Sequence, residues 1–118
     1  MKQEETLILI PKVEKYIEYA LNMLQKIPRT EKFNIGNEYK TSMYRILENA
    51  IYINKIGNKI ECLNKIDAEL VLERIILRIM LKNRWIDEKK FKVSMELIYE
   101  IGRIVGGLIK YYAKNNKK

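Results

Sequence analysis

Apolar residues recur every three or four positions along most of the chain, and Pro or Gly breaks the rhythm at only a few points. That spacing is the period of an amphipathic helix. Val13, Ile17, Ala20, Leu21 and Leu24 share one stripe, and Pro11 suits a first helical turn, so a helix is predicted over about 11–26. Thr6–Ile10 ahead of it reads equally as extended chain or as an added turn. Pro28 stops the helix. A second helix is predicted over about 34–56, with Asn34 as a possible N-cap and Tyr39, Met43, Ile46, Leu47, Ala50 and Ile53 facing inward. Gly57–Asn58 ends it. A third follows over about 59–83. Trp85 falls in the next connection, and Asp87 caps a fourth helix over about 88–113, through Phe91, Met95, Ile98, Ile101, Val105 and Ile109. Asn115–Lys118 reads as a frayed basic tail.

No strand alternation, linker, repeat or low-complexity tract interrupts this order. Helices joined by such short links must fold back on their neighbours. The prediction is an all-α, up-down-up-down four-helix bundle in a single domain over 1–118. At 118 residues the chain is long enough to bury one core without staples.

Within the third helix, Leu70–Leu81 is apolar almost all the way round. A surface helix of a small monomer should show one apolar stripe and one wet face. The stretch is therefore expected to be buried twice, once by its own bundle and once by another subunit, with Leu70 and Leu77 as candidate subunit contacts. Arg74 and Arg78 stand one turn apart on it, and Lys82 extends the same ridge. In the fourth helix Gly102 and Gly106 are also one turn apart, with Gly107 beside them. Interior glycines cost about 1 kcal/mol each relative to alanine. They admit either bulky side chains from within the bundle or the backbone of another subunit, and all three are kept as candidate subunit contacts in a cyclic homo-oligomer. Arg103 and Lys110 rule out a lipid-facing helix there.

Charge adds a partner class. Lys plus Arg number 23 against 15 Asp plus Glu, a formal net charge of +8 that favours polyanions. The candidate nucleic-acid or polymerase contacts are Arg74, Arg78, Lys82, Arg29, Lys32, Arg103 and Lys110. The competing reading is that Arg74, Arg78 and Lys82 neutralise Asp67 or an acidic neighbouring helix. Scattered cations make no single stripe on one chain, but repeated around a ring they become a belt of positive potential. The tyrosines read as core-edge fillers rather than stacking platforms.

Catalysis has little to work with. Histidine is absent, which removes the commonest general base. Ser42 and Ser94 lack a nucleophile context, and no Gly-rich phosphate loop occurs. Asp67, Glu69 and Glu73 do not share one helix face, so solvated or salt-bridged roles are expected of them. Neither an enzyme nor a cofactor is expected. Cys62, the single cysteine, lies in apolar surroundings and reads as a buried structural thiol. The opening MKQEETLILIP lacks a signal-peptide pattern, and no segment is long and uncharged enough to span a bilayer, so a cytoplasmic protein is expected.

Three stretches together resemble a known family. Ile27-Pro28-Arg29-Thr30-Glu31-Lys32-Phe33-Asn34-Ile35-Gly36 resembles the first interhelical turn of the accessory variability determinant (Avd) proteins of diversity-generating retroelements. Glu73-Arg74-Ile75-Ile76-Leu77-Arg78 is similar to their third helix, with its paired arginines. Glu100-Ile101-Gly102-Arg103-Ile104-Val105-Gly106-Gly107-Leu108-Ile109-Lys110 looks like their C-terminal signature. The resemblance implies a homopentameric barrel of four-helix bundles that associates with the element's reverse transcriptase and template RNA, in support of mutagenic cDNA synthesis. It also implies that Arg74 and Arg78 contact polymerase or nucleic acid. Lysine often stands where relatives tend to carry arginine, and it lacks the bidentate fork. Two alternatives stay open. One is an RNA-binding protein of the related four-helix-bundle branch encoded in ribosomal-RNA intervening sequences. The other is a plain oligomeric interaction protein.

Overall fold

The first helix begins at Lys2, not at Pro11. The computed structural model describes the backbone of residues 2–55 and 57–116 and the side chains of residues 8–55 and 57–115. In it α1 spans Lys2–Leu24 with Pro11 inside the helix. An interior proline removes one backbone hydrogen bond and crowds the preceding turn. Leu9 and Val13, on either side of it, are both fully buried. Their packing holds the helix together through the proline, which sits on the exposed side. Tertiary burial thus overrides the local start signal.

Pro28 ends the run as expected. A single turn, α2 (Arg29–Lys32), follows it and leads into α3 (Ile35–Tyr52). Asn34 occupies the N-cap position of α3 but does not cap it with its side chain. Its amide nitrogen donates instead to the Thr30 carbonyl at 3.1 Å, closing α2. Gly36 lies where the two helices meet. A Cβ there would stand 3.2 Å from the Glu31 carbonyl oxygen and 3.4 Å from Ile27 Cδ1, so the close approach favours glycine.

α3 is shorter than the periodicity suggests. After Tyr52 the chain tightens into turns, with Asn54 N–H on the Ile51 carbonyl and Lys55 N–H on the Tyr52 carbonyl. Lys59 Nζ donates to the Ile53 carbonyl and satisfies an end group the helix leaves over. The remainder of the predicted second helix reaches Ile56, which lies outside the described residues, as do Lys117 and Lys118 of the predicted tail.

α4 spans Lys59–Lys82, with Asn58 Oδ1 accepting from Glu61 N–H at 3.0 Å. α5 spans Glu88–Asn116, capped by Asp87, whose Oδ1 accepts from Lys90 N–H at 2.8 Å. Between them Arg84 has a left-handed φ of 62°. Trp85 N–H reaches the Met80 carbonyl and Arg84 N–H the Leu81 carbonyl, both at 2.9 Å. These are the two bonds of a Schellman helix stop, in which glycine normally takes the left-handed position.

The four long helices pack as a closed square in which α1 and α4 are diagonal. Lys12 pairs with Glu100 and Ser94 meets Met23, so α1 and α5 run antiparallel. The body measures 51 × 23 × 20 Å. One continuous core runs through it, from Leu9 and Leu108 to Leu24 and Ile86. Cys62 is buried in that core. No strand occurs among the described residues, and no described helix is long and apolar enough to cross a membrane.

Candidate functional site

The outer face of α4 is the unusual surface of this molecule. Val71, Leu72, Ile75 and Ile79 form a row on it, each 38–44 % exposed. Solvated helix faces are normally polar, and this row departs from that pattern. Arg74, Arg78 and Lys82 border the row on successive turns. Arg74 is half-buried, while Arg78 and Lys82 are exposed. None of the three makes an ion pair among the described residues. Asp67 therefore does not neutralise them.

Arg74 also lines a groove of about 1200 Å³ along α5, whose walls hold Phe91, Val93, Met95 and Tyr99 together with the carboxylates Glu88, Glu96 and Glu100. A guanidinium beside apolar side chains keeps its planar donor fork while losing little hydration. Such a group binds carboxylates or phosphates at the edge of a dry contact.

Leu70 and Leu77 require correction. Both are fully buried within the single chain. They lie on the α4 stripe that faces the bundle interior, while Val71, Leu72, Ile75 and Ile79 occupy the opposite side. The two-faced apolar character was legible, but its faces were exchanged. Gly102 lies in the bundle seam, where a Cβ would meet Leu70 Cδ1 at 3.8 Å. At Gly106 a Cβ would meet nothing within 4 Å. The space over Gly106 is open, which does not fit accommodation of a bulky core side chain. Gly102, Gly106 and Gly107 are all half-exposed.

The other predicted cations do not join the α4 ridge. Arg29 and Lys32 sit on α2 at the end of the bundle where α4 finishes, whereas Arg103 and Lys110 are exposed on α5, toward the opposite end. None of these four makes an ion pair among the described residues either.

A polar cluster inside the core escaped the sequence reading. Glu73, expected to be solvated or salt-bridged, is fully buried. Tyr16 Oη donates to Glu73 Oε1, and Tyr39 Oη in turn donates to Tyr16 Oη. Glu73 Oε2 has no partner among the described residues. Burial pushes the Glu73 carboxyl up to about 7, and the hydrogen bond from Tyr16 only partly opposes this. Burial likewise holds both phenols well above their ordinary range, so they stay neutral. Beside the cluster Ser42 Oγ donates to Glu69 Oε1 at 2.7 Å, and Arg45 pairs with Glu69 Oε2 at 3.4 Å. A signal did exist: Glu73 stands between Leu70 and Leu77 at core spacing, and Tyr16 between Val13 and Ala20.

Comparison with solved structures finds the same fold in a crystal structure of a protein of unknown function from the S23 ribosomal protein family of Bacteroides thetaiotaomicron. The likeness has a TM-score of 0.81 and 15 % identity, and covers 90 % of this chain and 98 % of that one. Comparison with curated proteins gives no match. Residues 7–112, nearly the whole chain, match the bAvd-like family. An Avd-type accessory protein therefore carries the two-faced α4 helix described above, and this chain belongs to the bAvd-like family.

Proposed function

We propose that this protein is a non-enzymatic accessory subunit of a reverse-transcribing ribonucleoprotein in the cytoplasm. It assembles into a closed ring, a pentamer in keeping with its family, and binds the reverse transcriptase and template RNA of a diversity-generating retroelement. In that complex it supports mutagenic cDNA synthesis and diversification of a target gene. The observation that carries this reading is the outer face of α4, where an exposed apolar row is bordered by Arg74, Arg78 and Lys82 without ion-pair partners among the described residues. The apolar row suits a subunit or polymerase contact, and the cations suit phosphate or carboxylate at its edge. A ring repeats the ridge on every subunit, so one partner can engage several copies and gain avidity.

Adding the protein to its reverse transcriptase and template RNA, and measuring cDNA, tests the proposal. The wild type stimulates synthesis, and the Arg74→Ala plus Arg78→Ala variant does so far less while keeping its oligomer. Absence of stimulation by the wild type would turn the assignment toward an RNA-binding protein of the ribosomal-RNA intervening-sequence branch, the alternative that the sequence resemblance leaves open.

A further inference from the structure

A second site lies at the end of the bundle where α1 finishes and α5 begins. Two adjoining clefts open there, sharing Met23, Lys26 and Lys90 in their walls. The smaller, about 320 Å³, is lined by Tyr19, Asn22, Met23, Lys26, Lys89 and Lys90 and contains no carboxylate. The larger, about 720 Å³, has Met23, Leu81, Trp85 and Ile86 as its apolar walls, with Asp87 and Glu88 in its lining. Cations thus line both lobes, which share Lys26 and Lys90, while the larger adds Arg84, an apolar and aromatic wall and two acidic acceptors.

Two of the three lysines of the smaller lobe are available to a ligand, since Lys26 and Lys89 are exposed and make no ion pair among the described residues. Lys90 instead pairs with Asp87 at 3.5 Å, while Asp87 also caps α5. Arg84, in the wall of the larger lobe, occupies a left-handed backbone position that glycine would hold without strain. The chain places a guanidinium there at a conformational cost.

We infer that this double cleft binds a nucleotide unit of single-stranded nucleic acid, its phosphate on Lys26 and Lys89 and its base against Trp85. A nucleotide joins an anion to an aromatic plate, and the double cleft offers lysines for the one and an apolar wall with Trp85 for the other. Both volumes lie in the roughly 300–1,000 Å³ range of small-ligand sites, and a base must leave its duplex to enter one. The apolar wall takes the face of a base, and the Glu88 carboxylate accepts from exocyclic amino groups. Arg84 supplies a cation for the neighbouring phosphate. The inference rests on the nucleic-acid reading above but assigns a surface distinct from the Arg74–Arg78 ridge. Lys82, the last cation of that ridge, adjoins Leu81 and Arg84 of the larger lobe along the chain.

Trp85 is the single tryptophan, so its emission reports the cleft directly. The test titrates full-length protein with a short oligocytidylate, following oligonucleotide anisotropy and Trp85 fluorescence together. Binding should quench Trp85 in proportion to occupancy. The Lys26→Ala plus Lys89→Ala variant, with unchanged helix content, should bind about tenfold more weakly. Its dependence of log K on log salt should be shallower by roughly 0.7 for each phosphate that the two lysines neutralise in the wild type. Unchanged Trp85 emission on binding, or a wild-type salt slope in that variant, overturns the inference and leaves RNA binding to the α4 ridge. No binding by the wild type even at low salt overturns both. Equal quenching by inorganic tripolyphosphate would remove the base-binding lobe, and equal binding of a duplex would remove the single-strand preference.

Discussion

Tyr16 and Glu73, 57 positions apart, are joined by a hydrogen bond through the centre of the core. The bond links α1 to α4, the diagonal pair of the bundle, and Tyr39 of α3 extends it. A buried carboxyl of this kind favours whatever arrangement satisfies it, because an unpaired buried oxygen costs about 1–3 kcal/mol. Its titration gives a direct handle on stability.

In the folded chain the Glu73 carboxyl is pushed up to about 7 from its ordinary 4.5. A raised folded value means that the native state holds the proton more tightly than the unfolded chain. The stabilising contribution is complete below about pH 4.5 and is lost as pH rises through 7. Urea unfolding at pH 5 and pH 8 should therefore show Glu73 contributing a fall of up to about 3 kcal/mol. Glu73→Gln, neutral at every pH, should remove that component. An identical pH dependence in wild type and variant would show that Glu73 titrates normally.

Tyr16→Phe should destabilise the fold by about 1–3 kcal/mol, since it leaves Glu73 without its donor and Tyr39 without its acceptor. Thermal unfolding of Tyr16→Phe, Glu73→Gln and the double variant forms a cycle. The two effects should be non-additive, as for residues in direct contact.

The two faces of α4 should separate stability from assembly. Leu70→Ala or Leu77→Ala should cost about 2–5 kcal/mol in unfolding measurements, as for other core truncations. Ile75→Asp plus Ile79→Asp should leave the helix content intact and shift the light-scattering mass toward a single chain. An unchanged mass would move the subunit contact to another surface.

Arg84→Gly should raise unfolding stability by about 1 kcal/mol, because glycine occupies the left-handed position freely. The same change should weaken RNA binding. If Arg84→Gly is more stable and binds RNA as well as the wild type, the guanidinium has no part in recognition.

Gly106→Ala should raise helix stability by up to about 1 kcal/mol, since an added Cβ meets nothing within the chain. Light scattering then tells whether the open space over Gly106 is used. Dissociation of the oligomer on this stabilising change identifies it as a seam between subunits.

The sequence alone was enough to set four helical segments, because their apolar spacing, Pro28, Asn58 and Asp87 are local signals that act within a few residues. It also sufficed for the cations of α4, since Arg74, Arg78 and Lys82 stand on successive turns of any regular helix. What it could not settle was which side of α4 faces inward. Leu70 and Leu77 are no more hydrophobic than Leu72 and Ile75, and only packing against α3 and α5 makes the first pair core and the second pair surface. The same packing carries α1 through Pro11, where a local rule would begin the helix, because Leu9 and Val13 are buried together on either side of it. It also brings Tyr16, Tyr39 and Glu73 into one cluster from three helices. Periodicity records only that a residue is on the same face as its own helical neighbours. Which face meets which helix depends on contacts between residues distant in the chain, and the tertiary structure alone decides those.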